Sequence, residues 1–277
     1  MIEKDWLAKL FSLILLNVFF AVNVAQADPS LFMVEDVPIY AESMNLFDAK
    51  IEALDVATED SFGVLLNRLL PRHLHWRVKN LSDKAFSSVD EVKIKDERMT
   101  AFTYSAKADI SFRDKNVKKI LNREGIFFVS KYSLPQLLIP VLFKDLRYSI
   151  WDDNDWEEIW GNIPNTFGLL QFKFMLGDLN DQANLDPLAL TGDKLNFDYF
   201  ASTLAKYGAS EAVIVIGRHG KDKFEVTLKH LSQNASNVTT TVYDYSPSSQ
   251  NYREFYQKVA TESLWVLDSY YKNHNKF

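Results

Sequence analysis

The chain has 277 residues, 47% hydrophobic and 25% charged, with a formal net charge of −6 and no cysteine. The acidic balance gives no electrostatic reason to expect nucleic acid or an anionic membrane surface as a partner. The lack of cysteine excludes disulfides, thiolate metal sites, cysteine nucleophiles and a lipid-modified amino-terminal cysteine, which leaves core packing to hold the fold.

Residues 1–27 read as a secretory signal. Lys4 and Lys9 precede an apolar stretch over 10–22 that only Ser12 and Asn17 interrupt, and Ala25-Gln26-Ala27 supplies the small residues of a cleavage point. The stretch is shorter than the ~20 residues a spanning helix needs. The expected mature chain therefore starts at Asp28 and is periplasmic or secreted, and no later stretch is long and apolar enough to span a bilayer.

The rest divides into two expected units, 28–132 and 133–277. In the first, 31–40 alternates like a strand, and Pro38 suggests a sheet edge. A long helix follows, with Ala49, Ala53, Leu54, Ala57, Phe62, Leu65, Leu66 and Leu69 at three- and four-residue steps. Asn45 or Asp48 would cap its start, Gly63 is a weak point inside it, and Pro71 ends it. Strands over 89–96 and 100–112 come next, the second with Phe102, Tyr104, Ala106, Ala108 and Ile110 on one side, then a short helix closing at Gly125. The pattern is an antiparallel β-α-β-β-α unit. His73 and His75 would share a face if their segment were a strand, but no third ligand lies near in sequence, so no metal site is assigned.

The second unit opens on the apolar run 137–143, which suits a strand covered on both faces; Pro140 within it argues for an edge or a bulge. Trp151, Trp156 and Trp160 follow, among Asp152, Asp153, Asp155, Glu157 and Glu158. The acid spacing fails the calcium-loop pattern, because Trp156 occupies a ligand position and Glu157 the required glycine. Carboxylates beside tryptophans also suit a glycosidase, although sequence cannot give their separation. The plainer account is a short helix capped by Asp155 with Glu158 three residues on, burying Trp156 and Trp160 on one face. That leaves Trp151, Asp152 and Asp153 unaccounted for. With Asp178 in the later loop, they are the candidate binding residues.

A strand over 169–176, a short helix at Asp186-Pro187, a helix over 197–207 between Asn196 and Gly208, three strands in a meander (212–217, 224–231, 238–243) and a closing helix over 252–271 complete a mixed-sheet α/β unit. The fold class is thus α+β / α/β. None of the hydrolase-elbow, phosphate-loop, dinucleotide or H-E-x-x-H motifs occurs. His219 reads as a turn histidine, and no catalytic residue or cofactor is assigned.

Several segments, in order, carry a resemblance: AFTYSAKADISF and the helix-glycine segment after it, LLIPVLF, the Trp151…Trp156…Trp160 series, GLLQFKFMLGDLND and LAKYGASEAVIVIGRH. Through them the chain resembles the exported proteobacterial family catalogued as domain of unknown function 2066. It departs from that family in the phenylalanines before Gly177-Asp178, where the family has an aliphatic, proline-rich strand. The second unit also resembles the amino-terminal domain of the Tol-system propeller protein and the middle domain of flagellar assembly protein T. The resemblance implies an exported protein with no established activity. The expected role is a non-enzymatic module that binds an envelope protein or the cell-wall layer; the alternatives are a carboxylate-dependent glycan hydrolase and a small-ligand binder.

Overall fold

The structure, a computed structural model, describes residues 31–151, 154–163, 168–192, 195–233, 235–244 and 251–275. The expected signal over 1–27 lies outside the described residues.

The first layer is a three-stranded antiparallel sheet, β1 (Met33–Glu42), β2 (Val89–Met99) and β3 (Thr103–Phe112), in the order β1-β3-β2. Pro38 is on an edge strand, as its missing N–H requires. Helix α1 (Leu46–Leu69) starts at Asn45, whose side chain accepts from the Asp48 backbone N–H at 3.0 Å. Its buried stripe of Ala49, Ala53, Ala57, Phe62, Leu65, Leu66 and Leu69 packs on β1 and β3. The alanines let the helix lie close over Tyr104, Ala106, Ala108, Ile110 and Phe112, which alternate inward along β3. Phe102 does not join them. It sits in the turn before β3 and is 57% exposed.

After α1 the chain does not run free. Residues Arg72–Lys84 form 3₁₀ turns, then a single helical turn, α2 (Ala85–Ser88), leads into β2. This placement answers the expectation for His73 and His75. They do not share a strand face: the His73 ring lies against Phe127, while His75 contacts Trp265 and bonds the Leu70 carbonyl. Helix α3 (Asp114–Arg123) ends at Gly125, whose φ of 62° is the left-handed value that suits glycine there.

The second layer is a six-stranded mixed sheet: β4 (Pro135–Lys144), β5 (Arg147–Ser149), β6 (Gln171–Phe174), β7 (Glu211–His219), β8 (Lys223–Ser232) and β9 (Ala235–Asp244). Its order is β5-β4-β7-β8-β9, with β6 beside β4. The β4–β7 and β4–β6 pairs are parallel, and β7, β8 and β9 form the antiparallel meander.

Pro140 does not mark an edge strand, because β4 is interior. One side of β4 pairs with β7. The other pairs with β6 up to Leu138 and with β5 from Leu142, and Pro140 lies in the interval between them. A residue without an N–H costs least where no neighbour asks for one.

Alternation along β4 and β7 builds two cores. Leu138, Leu142, Val213 and Val215 face α4 (Asp155–Asn162) and α8 (Tyr252–His274). Leu137, Ile139, Val141, Ala212, Ile214 and Ile216 face Leu185, Leu190, Phe200 and Leu204. Those four come from α5 (Leu179–Asn184) and its C-cap, α6 (Pro187–Thr191) and α7 (Phe197–Tyr207). The continuous apolar run is therefore the signature of burial on both faces.

Trp156 and Trp160 are buried on α4, as expected, and Trp156 Nε1 donates to the Val215 carbonyl at 3.0 Å. The cap is one residue earlier than expected. Asn154, not Asp155, accepts from the N–H groups of Trp156 and Glu157, and its amide also donates to the carbonyls of Ser149 and Ile150. Glu158 pairs with Arg253 of α8 rather than closing a capping box.

One contact ties α8 to α1. Lys272 is fully buried, lies 2.8 Å from the Asp268 carboxylate and donates to the carbonyls of Asn67 and Leu70 at the C-terminus of α1. A cation placed there meets the negative end of the helix dipole and helps to offset its own desolvation. Burial pushes the Asp268 carboxyl up to about 6 and the Lys272 ammonium down.

Candidate functional site

The sequence points to the loops at the carboxyl ends of the parallel strands. There, Trp151 is half-buried against the core on the α7 side, and its ring lies over Gly177. A Cβ at residue 177 would come within 3.2 Å of that ring, and φ is 68°, so glycine meets two demands at once. Asp178 is the N-cap of α5: its carboxylate accepts from the N–H groups of Asn180 and Asp181. It also pairs with Lys206 at 2.8 Å, and that ammonium holds its carboxyl below the usual carboxylate range. Asp181, nearly fully buried, receives Lys206, the Tyr207 hydroxyl and the Gly177 N–H. The Asp178 carboxylate thus serves the fold. Asp152 and Asp153 lie outside the described residues.

His219 is not in a turn. It ends β7, half-buried, with its Nε2 on the Tyr256 hydroxyl and its ring among Phe224, Tyr252 and Tyr256. Burial is the first cause holding its pKa below the usual histidine value, and nearby Lys144 adds to it.

A second place stands out at the far end of the first layer. The Ser43 N–H bonds the Phe102 carbonyl at 2.9 Å, which sets the β1–α1 junction beside the β2–β3 turn. Met44 (89% exposed), Phe47 (73%), Met99 (56%) and Phe102 (57%) all project from this end, with Ile51 one turn further along α1. Helix α1 covers β1 and β3, whereas β2 is half-exposed or exposed throughout. Ion pairing borders the apolar end: Lys50 meets Glu97 at 2.8 Å, and the Tyr104 hydroxyl donates to the same carboxylate at 2.6 Å. Lys50 is the first cause holding Glu97 below the usual carboxylate range, and burial with Glu97 pushes the Tyr104 phenol up to about 12. Exposed methionine and phenylalanine grouped inside a polar border are the composition of an interaction surface. A signal for part of this was present in the sequence, since Phe47 and Ile51 fall off the Ala49-Ala53-Ala57 stripe.

A third place is a cleft of about 350 Å³ at the amino ends of β4 and β7, where Gln136, Glu211 and His230 meet under Tyr270, Tyr271 and His274 of α8. Among the described residues, no group of three histidine or acidic side chains is arranged to hold a metal ion, and no helix is long and apolar enough to cross a membrane.

No family model and no curated protein matches the chain. Among solved structures, it is similar to the lipoprotein GNA1162 from Neisseria meningitidis, at 9% identity over 50% of this chain and 99% of that one, with a TM-score of 0.29. It is also similar to a formyltetrahydrofolate deformylase from Pseudomonas putida KT2440, at 10% identity over 82% of this chain and 91% of that one, with a TM-score of 0.26. Likenesses this low carry no argument about function.

Proposed function

We propose that this protein is an exported, non-enzymatic envelope module, of the exported family that its segments resemble, and that it holds another envelope protein through the apolar end of its first sheet. The observation that carries this reading is the exposure of Met44, Phe47, Met99 and Phe102 at one end of the sheet. Leaving that much methionine and phenylalanine in water forgoes burial worth about 1.5–3 kcal/mol for each side chain, which a partner recovers. The Lys50–Glu97 pair at the border gives the partner a polar edge to register against. The partner expected here presents an apolar knob or strand to this end, within a polar rim.

A photo-reactive amino acid placed at Met44 or at Phe102 in the cell tests the reading, with Lys107 on the exposed face of the same sheet as the control position. A single adduct with another protein, shared by positions 44 and 102 and missing at 107, is the expected result. No adduct at either position, or adducts only at twice the mass of the chain, would overturn it.

A further inference from the structure

The cleft at the amino ends of β4 and β7 draws one side chain from each of three strands. Gln136 of β4 and Glu211 of β7 are register partners in the parallel pair, and Gln136 Nε2 donates to Glu211 Oε2 at 2.9 Å. His230 of β8 lies opposite Val213, two residues along from Glu211, so it faces the same side, and its Nε2 is 2.9 Å from the same Oε2. A carboxylate only accepts, so His230 Nε2 carries the hydrogen. Both donors therefore go to one oxygen. Among the described residues, no donor reaches Oε1, and 19% of the Glu211 side chain stays open to solvent.

The walls are aromatic. Tyr132, Tyr270 and Tyr271, all half-buried, line the cleft, and Asn237 of β9 fixes Tyr270 through a 2.6 Å bond to its hydroxyl. The Tyr271 hydroxyl donates to the Lys131 carbonyl at 2.9 Å; burial and the neighbouring Glu211 charge push its phenol up to about 12. The hydrogen bond from His230 is the first cause holding the Glu211 carboxyl below the usual carboxylate range. The cationic Lys131 sits exposed at the mouth rather than at the floor, with His274 beside it bonded through Nδ1 to the Tyr270 carbonyl.

An anionic oxygen at the floor, tyrosine faces on the walls and the Lys131 ammonium at the rim form an ordered sequence of environments. Ammonium groups are attracted both by a carboxylate and by aromatic faces. The rim suits a carboxylate a few ångströms behind the amine. The volume, about 350 Å³, falls within the range of roughly 300–1,000 Å³ usual for small-ligand sites. We propose that this cleft binds the free amino terminus of an amino acid or short peptide, with the ammonium on Glu211 Oε1 and between the tyrosines, and the carboxylate on Lys131.

Calorimetric titration of the purified protein with alanyl-alanine, its amino-acetylated form and its carboxyl amide tests this directly. Alanyl-alanine is expected to bind, acetylation to cost at least about tenfold, and amidation less. Glu211→Gln, which keeps the shape, is expected to cost at least about tenfold with the unfolding temperature held, and Lys131→Ala to weaken the dipeptide but not its amide. Should Glu211→Gln fail to fold, Tyr270→Leu with the same three probes replaces it, and a loss shared by dipeptide and amide is expected. Equal binding of the acetylated and free forms, no binding of any of the three, or a folded Glu211→Gln that binds like the parent would overturn the proposal.

Discussion

The central strands of the six-stranded sheet, β4 and β7, are covered on both faces, by α4 and α8 on one side and α5 to α7 on the other, and their inward side chains are close to zero exposure. The three-stranded sheet has one helix, α1, on one face. Its other face carries the Lys95–Asp36 and Lys95–Asp109 pairs at 2.8 and 2.6 Å, and its far end shows methionine and phenylalanine to solvent. Large apolar residues are thus used in two ways. Along β4 and β7 they hold the fold, and changing them costs stability. At the end of the first layer they touch little, and changing them should cost binding alone.

The sharpest break of that contrast comes from the covered side. Lys272→Met leaves Asp268 buried without its counter-ion and removes a donor from the Asn67 and Leu70 carbonyls, the second of which keeps His75, and is expected to cost about 3–5 kcal/mol in chemical denaturation. The sign of its pH dependence follows from Asp268. Its folded pKa is raised to about 6, so the folded state keeps a proton that the unfolded chain releases above the ordinary carboxyl value, and stability falls as pH rises through that window. Removing the ammonium raises that pKa further, so the penalty should widen above pH about 6. A penalty that is flat with pH would contradict this account.

Gly217→Ala is the next test. A Cβ there would lie 2.5 Å from the Phe224 ring, which is packed among Trp156, Phe255 and Tyr256, so about 1–3 kcal/mol should be lost by overpacking. Gly63→Ala in α1 runs the other way. The new methyl would meet Val78 at 3.9 Å, an ordinary contact, and a gain of about 0.5–1 kcal/mol is expected in thermal unfolding. The smallest effect belongs to the apolar end: Phe47→Ser and Phe102→Ser should each change stability by no more than about 0.5 kcal/mol, despite the size of the side chain removed.

Periodicity made most of the fold legible. The stripe of α1, the alternation of β3, the doubly buried β4, the meander and α7 between Asn196 and Gly208 all sit where spacing and caps place them. The failures are local and have causes. Arg72–Lys84 has no apolar period, and its turns are held by long-range packing of Leu81 and by His75 on the Leu70 carbonyl. Pro140 was ambiguous because an interior strand with a gap between its short neighbours cannot be told from an edge along one chain.

The site was less legible than the fold. Asp178 drew attention as a loop acid and proves to be a helix cap paired with Lys206. Gln136, Glu211 and His230 are far apart in sequence and meet only through strand register. Met44 and Phe102, also distant in sequence, are brought together by one backbone bond.

The most direct measurement pairs stability with capture in one variant. Phe47→Ser/Phe102→Ser, carrying the photo-reactive residue at position 44, should unfold within about 1 kcal/mol of the parent and lose its adduct. A variant that is strongly destabilised, or one that keeps the adduct undiminished, would contradict the claim that these side chains are held in reserve for a partner.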